Sequence, residues 1–330
     1  MTFLECRMAR GLGRRDFLRF CAAAAAWMGL DQAVVPTIAR ALATKPRPPV
    51  IWRHFQECTG CTETLLRSVE PSVADLILDL VSLEYHETLL ACAGRQAEAL
   101  AAQAVQRYAG EYLLCVEGSL PSEETHCLVG GRRARAVLEE EAAGARAVLA
   151  VGSCASWGGV QGCRPNPTGA RGVPDVLGGR PVVRVPGCPP VPEVLAGVLV
   201  YLVTFGTLPP LDEKGRPSAF FAQTVHEQCP RRGHFEEGRF AESFGDDGYR
   251  SGWCLYPLGC RGLATYNACT RLRWNAGVSS CVQAGHPCLG CANLPGSWDE
   301  APLYVAAPGT LPESASCRRP AAPLTVARRG

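Results

Sequence analysis

From about residue 48 to residue 205 the chain alternates short apolar runs with stretches of helical periodicity. Apolar runs at 50–54, 77–85, 112–117, 147–152 and 182–185 read as strands buried on both faces. Between them, helical spacing of apolar positions predicts helices over 62–69, 93–108, 133–143 and 192–205. Strand and helix in strict alternation predict an α/β fold built on a parallel sheet. The 192–205 segment is apolar on most faces, but it is short and carries Glu193, so it reads as a core helix rather than a membrane span. After Gly206 the alternation stops. Pro209-Pro210, Gly215, Pro217 and a Gly-rich polar stretch through Gly252 predict a loop-rich region, which bound cofactors would have to constrain.

The N-terminus has a pattern of its own. Gly13-Arg14-Arg15-Asp16-Phe17-Leu18-Arg19 resembles the twin-arginine consensus of bacterial export signals. A weakly apolar run from Phe20 to Leu30 follows, and Ala41-Leu42-Ala43 supplies an A-x-A-type cleavage site. The competing reading is a surface helix with a chance arginine pair. Residues 1–43 are expected to be a signal peptide outside the fold, which directs the chain to the periplasm or the outer face of the cytoplasmic membrane.

Composition adds one unusual fact. The chain has 330 residues, a formal net charge of +2 and 47% apolar content, which gives no electrostatic case for nucleic acid. It also has 18 Cys against 3 Met. A chain this long needs no disulfide staples, so dense cysteine points to metal or clusters. Export would expose free thiols to an oxidising compartment. The twin-arginine route, which carries folded and cofactor-loaded proteins, removes that conflict.

The cysteines fall at informative places. Cys58 and Cys61 follow the first strand within Glu57-Cys58-Thr59-Gly60-Cys61. Cys154 follows the 147–152 strand, and Cys188 follows the 182–185 strand within Pro186-Gly187-Cys188-Pro189-Pro190. Loops at the carboxyl ends of parallel strands are where open α/β sheets bind ligands. A dithiol redox role would leave Cys154 and Cys188 unexplained. Zinc could take all four thiols, yet zinc sites usually pair two short knuckles. A cubane iron–sulfur cluster suits these positions better.

The run Pro49-Val50-Ile51-Trp52-Arg53-His54-Phe55-Gln56-Glu57-Cys58-Thr59-Gly60-Cys61-Thr62-Glu63 resembles the start of a mature nickel–iron hydrogenase small subunit. Leu83-Glu84-Tyr85-His86-Glu87-Thr88, Glu117-Gly118-Ser119-Leu120-Pro121, Gly152-Ser153-Cys154-Ala155-Ser156-Trp157-Gly158-Gly159 and Pro186-Gly187-Cys188-Pro189-Pro190 resemble later signatures of that family. The resemblance extends to about Asp299. It implies a flavodoxin-like parallel sheet domain over 47–205, a loop-rich iron–sulfur cluster domain over 206–305 and an irregular tail over 306–330. It also implies three clusters. The proximal 4Fe–4S would be held by Cys58, Cys61, Cys154 and Cys188, and the distal 4Fe–4S by His226, Cys229, Cys254 and Cys260.

The family's medial cluster is commonly 3Fe–4S, on the positions matching Cys269, Cys288 and Cys291. A proline often stands seven before Cys288; here that residue is Cys281. A fourth thiolate could complete the cubane, so a medial 4Fe–4S is expected, with a free thiol beside 3Fe–4S as the alternative. Oxygen-tolerant members carry two extra cysteines, at positions that match Gly60 and Gly159, so their special proximal cluster is not expected. Cys92 (helix), Cys115 (strand), Cys127 (loop) and Cys163 are expected to be buried thiols without ligand roles.

No catalytic residue is expected in this chain. H2 cleavage would take place at a nickel–iron centre in an obligate large-subunit partner, and electrons would leave to a cytochrome or other acceptor. The alternatives are a hydrogen-sensing subunit, which is cytoplasmic as a rule, and a zinc-stabilised interaction module. No apolar stretch long enough to anchor the tail follows Pro302.

Overall fold

The computed structural model describes residues 1–9, 11, 13–68, 72–293 and 304. Its N-terminal part comprises helices α1 (Phe3–Ala9), α2 (Arg14–Trp27) and α3 (Val35–Thr44). Strands and helices then alternate: β1 (Pro49–His54), α4 (Gly60–Leu66), β2 (Ser82–His86), α5 (Gly94–Arg107), β3 (Leu113–Glu117), α6 (Ala134–Gly144) and β4 (Ala147–Val151). The series ends with α7 (Gly152–Trp157), α8 (Val173–Leu177), β5 (Val182–Val185) and α9 (Pro192–Phe205). The five strands form one parallel sheet in the order β2-β1-β3-β4-β5. This is the α/β architecture expected from the alternation.

Side chains alternate across the strands, and both faces are covered. Val50, Trp52, Leu113, Cys115, Leu149 and Val183 face α9 and α4. Ile51, Leu114, Val116, Val148 and Ala150 face α5 and α6, whose small Ala97, Ala101 and Ala104 let the helix lie close. Arg53 is the exception in β1. Only 1% of it is exposed, and its guanidinium is forked onto Glu141 at 2.6 and 3.0 Å, with Glu98 at 3.2 Å and the Tyr85 ring 4.3 Å away. A charge this deep persists because it is paired and hydrogen-bonded.

One register detail positions the site. In the ladders His54 lies beside Glu117, Glu117 beside Val151, and Val151 beside Val185. The carboxyl ends of four strands therefore form one row. The strand order reverses between β1 and β3, so this row flanks the switch point of the sheet.

The structure corrects two expectations. The 77–85 strand is shorter, because Asp75–Leu80 is a wide helical turn and the strand starts at Ser82. Ser72 and Asp75 exchange backbone-to-side-chain bonds of 2.9 and 3.2 Å in a capping box, and Leu76 and Leu80 bury one helical stripe. Residues 1–43 were expected outside the fold. Instead α2 and α3 pack against α9, and α1 against α3 and the Asp75–Leu80 turn, burying Phe3, Phe17, Phe20, Cys21, Ala24, Ile38 and Leu42 in the same core. An apolar stripe on α2 and α3 meets the apolar outer face of α9, and burial of both drives the contact. Arg14 and Arg15 stay exposed. Lys45 Nζ donates to the carbonyls of Val203 and Thr204 at 3.0 and 2.8 Å, serving acceptors that the end of α9 leaves open.

Beyond Gly206 the described residues form only short helices joined by hydrogen-bonded turns. Phe220, Phe221, Val225, Ala268, Val282 and Ala292 pack into the core of the sheet, and the clusters of their own are small: Phe235 with Cys254 and Tyr256, and Ala241 with Leu255 and Leu258. The loop-rich expectation agrees with this. The 306–330 tail, with Cys317, lies outside the described residues.

Candidate metal-cluster sites

The row of strand ends delivers the first set of thiols. Cys154 and Cys188 each lie three residues beyond a strand end of that row, and Cys61 sits in the first turn of α4. Cys58 and Cys188 are exposed, whereas Cys61 and Cys154 are partly covered. The Cys61 thiol is held well above its usual range, by burial first, then by Glu117 and by the sulfurs of Cys154, Cys188 and Cys58. Burial, with Cys188 next, pushes Cys154 up to about 12. Four thiols that would repel one another as anions have been gathered, and a metal centre bound there would supply the positive charge that makes them thiolates.

Glycines make the gathering possible. Gly152 has φ +84°, and a Cβ there would collide with Cys61 Sγ; one on Gly159, at φ +62°, would collide with Cys154. At Gly60 a Cβ would sit 3.1 Å from Cys58 Sγ.

A second set lines a cavity of about 90 Å³: Cys269, Cys281, Cys288 and Cys291, with Cys188 at the same wall. The Cys281 sulfur acts on both Cys269 and Cys291, whose thiols burial holds high, Cys291 at about 12. The third set is His226, Cys229, Cys254 and Cys260, around a smaller cavity of about 20 Å³ together with Arg231. The His226 ring meets Phe235 edge-on at 4.6 Å, and its pKa is lowered by burial, then by Arg232. The sets adjoin. The Cys188 sulfur raises the Cys291 thiol, and the Cys288 amide donates to Cys260 Sγ at 3.4 Å.

The spacing bears on what the sets can hold. Four sulfurs around one tetrahedral ion would stand about 4 Å apart, given a metal–sulfur bond near 2.3 Å. Among the described residues no three thiols lie within 4.8 Å of one another; the group that does is His54, Glu57 and Glu117. The wider spread suits a polynuclear centre, and the all-sulfur and sulfur–imidazole donor sets fit iron–sulfur clusters.

Several supporting residues were not legible from motifs. Glu117, 1% exposed, accepts from the amides of Cys61 and Thr62 at 2.9 and 3.1 Å, from Thr62 Oγ1 at 2.7 Å and from Trp52 Nε1 at 3.3 Å. A buried carboxylate at the start of α4 thus fixes the turn that carries Cys61. His54 Nδ1 stands 3.5 Å from Glu57, and burial, then Glu117, pushes the Glu57 carboxyl up to about 7. Ser153 accepts from the Gly187 amide at 3.0 Å and donates to the Cys291 carbonyl, while Trp157 Nε1 donates to the Ala292 carbonyl at 3.3 Å. These bonds sew the first site to the second.

The remaining cysteines sort differently than expected in three cases, each half-buried rather than buried. Cys115 is fully buried in β3 as expected. Cys92 lies in the loop before α5 rather than on a helix, because the chain stays extended through Ala93. Cys163 is half-buried, its thiol donating to the Gly159 carbonyl at 3.3 Å, since the turn after Gly158 runs along the surface. Cys127 is half-buried in a loop, and Cys6 and Cys21 are buried in α1 and α2.

Comparison with known proteins agrees with this geometry. Residues 58–202 match the family described as NADH ubiquinone oxidoreductase, 20 Kd subunit, and residues 221–304 match the C-terminal family of the NiFe/NiFeSe hydrogenase small subunit. An uptake hydrogenase small subunit of Azotobacter vinelandii is 48% identical over 305 residues, covering 92% of this chain and 85% of the relative. The chain belongs to the nickel–iron hydrogenase small subunits. The Hydrogenase-1 small chain of Escherichia coli K12 is also 48% identical, over 92% of this chain and 82% of its own length. Among solved structures, the reduced, active Ni-Fe-Se hydrogenase of Desulfomicrobium baculatum superposes with a TM-score of 0.73 at 35% identity, covering 79% of this chain and 100% of that one. The actinobacterial-type NiFe-hydrogenase of Ralstonia eutropha H16 gives 0.73 at 30%, covering 83% and 88%.

This membership makes the chain an electron-transfer small subunit of an oxidoreductase that converts H2, with iron–sulfur clusters and a large-subunit partner. Uptake enzymes among the relatives weigh against the hydrogen-sensing alternative. No helix among the described residues is long and apolar enough to cross a membrane.

Proposed function

We propose that this small subunit relays electrons between the H2-cleaving site of its large subunit and a cytochrome or other acceptor through three clusters. The proximal set is Cys58, Cys61, Cys154 and Cys188; the medial set is Cys269, Cys281, Cys288 and Cys291; the distal set is His226, Cys229, Cys254 and Cys260. The observation that carries this reading is the end-to-end contact of the three sets through Cys188 and Cys291, then Cys288 and Cys260. When bound, such clusters supply one-electron carriers at successive points.

The protein's own residues set the conditions. Exposed Cys58 and Cys188 mark the face that docks against the large subunit. Val225, Val282 and Leu289 keep water from the medial cavity. His226, with its lowered pKa, offers a neutral nitrogen where a thiolate would add negative charge. Residues 47–205 act as the flavodoxin-like domain and 206–305 as the cluster domain. Residues 1–43 act as a twin-arginine leader, with Arg14 and Arg15 presented at the surface.

Cys281 makes the medial cluster 4Fe–4S. The test is iron analysis with paramagnetic resonance on the complex purified with its large subunit. The expected count is about twelve irons per chain with no oxidised 3Fe–4S signal, and Cys281→Pro lowers it to about eleven and produces that signal. A count near eleven in the unaltered complex, or a variant spectrum identical to it, removes Cys281 from the ligand set.

A further inference from the structure

Around the distal set the charged side chains are of two kinds. Arg232 is paired with Glu236 at 2.7 Å, and Arg239 with Glu237, so each of these cations is offset by a carboxylate. Arg231 is not. Its Nε donates to the Val282 carbonyl at 2.9 Å and its Nη1 to the Trp253 carbonyl at 2.8 Å, and no carboxylate among the described residues pairs with it. Two carbonyls from separate loops hold the guanidinium still at the wall of the distal cavity, beside Cys229, Cys254 and Cys260. The Arg231 amide also points at Cys229 Sγ, 3.4 Å away.

We infer that Arg231 is a fixed positive charge that raises the electron affinity of the distal site. The inference rests on the reading of His226, Cys229, Cys254 and Cys260 as one ligand set. Taking up an electron adds one negative charge there and changes no bond, so a cation fixed nearby favours the reduced form whatever the donor. Arginine suits the role because its fork can be pinned by two carbonyls while its charge stays on. A neutral imidazole at His226 and an unpaired cation at Arg231 thus act in the same direction, which makes the distal end a sink for electrons arriving from the medial site.

The test is a redox titration of the purified complex, followed by paramagnetic resonance, for the unaltered chain, Arg231→Gln and Arg231→Lys, with iron counted in each. Gln is expected to lower the distal midpoint by at least tenfold in the one-electron equilibrium, about 59 mV. Lys, which keeps the charge and loses the fork, is expected to shift it by less than half of that, with iron retained. An unchanged midpoint in an iron-replete Gln variant overturns the inference, as does a Lys variant that falls as far as Gln. Should Gln lose iron, the Lys midpoint decides by the same criterion. Cys229→Ser separates the two readings: if the titrating signal is untouched by it, the ligand set is wrong and the inference falls with it.

Discussion

The two halves of this molecule are held together by different means. In the sheet half, strands with fully covered faces, two packed layers and one buried ion pair determine the geometry before any ligand binds. Beyond Gly206, Phe220, Phe221, Val225, Ala268, Val282 and Ala292 join the core of the sheet half, the remaining apolar groups come in threes, and the backbone runs through turns rather than ladders. The first half is organised by burial throughout; the second shares that core on one side and sets its candidate ligands among turns with little apolar packing of their own. The contrast shows that a cofactor can be a guest in one region and a structural element in the next.

Removing iron should give the largest effect. Structural metal contributes about 10–16 kcal/mol in small zinc domains, and a cluster half built on ligands should depend on it comparably. The chain made under iron starvation is expected to be cut by protease within 206–293 while the sheet half persists, as seen by mass spectrometry of the fragments. Equal resistance of both halves would break the comparison.

Next comes the ion pair under the sheet. Glu141→Ala leaves Arg53 buried with one weaker partner, and about 3–5 kcal/mol of stability should be lost, read as a lower urea midpoint. Iron content should stay unchanged, because the Arg53 guanidinium bonds to Glu141 and Glu98 and to none of the candidate ligands. Glu117→Gln sits where the halves meet. It keeps the shape but loses the charge in the bonds to Cys61 and Thr62, at a cost of about 1.5–3 kcal/mol, and should perturb the proximal resonance signal alone.

The smallest effect is one of pH. Burial raises the Glu193 carboxyl in the first turn of α9 above its usual 4.5. The folded state therefore binds that proton more tightly than the unfolded state. Its contribution is fully present below 4.5 and is lost as pH rises towards the folded value. Glu193→Gln should match the unaltered chain at low pH and gain thermal stability over it above that window. A constant offset at every pH would assign the effect to packing.

How much of this could be read from the chain follows the same division. Four of the five strands were legible to within a residue or so because each is a short, mainly apolar run bounded by polar residues, Gly or Pro. The fifth was blurred because Leu76 and Leu80 satisfy helical and strand patterns alike until Ser72 and Asp75 cap the turn. Residues 1–43 were separated from the fold on their motif, and motif reasoning takes no account of the apolar surface that α9 offers. Cys58, Cys61, Cys154 and Cys188 stood out because they follow strand ends, whereas the candidates beyond Gly206 came from the family resemblance alone. Glu117, Ser153 and Arg231 were not legible, since their partners lie far away in sequence: Ser153 and Cys291 are 138 residues apart.

The row formed by His54, Glu117, Val151 and Val185 works as a surveyor's datum for the proximal site. Insertions in the outer connections, however long, leave that level where it is. Deletion of one residue inside a strand moves one corner by about 3.3 Å and turns its side chains to the opposite face. Variation in length along this chain should therefore collect between the strands and be absent within them, with no bound metal needed to enforce the rule.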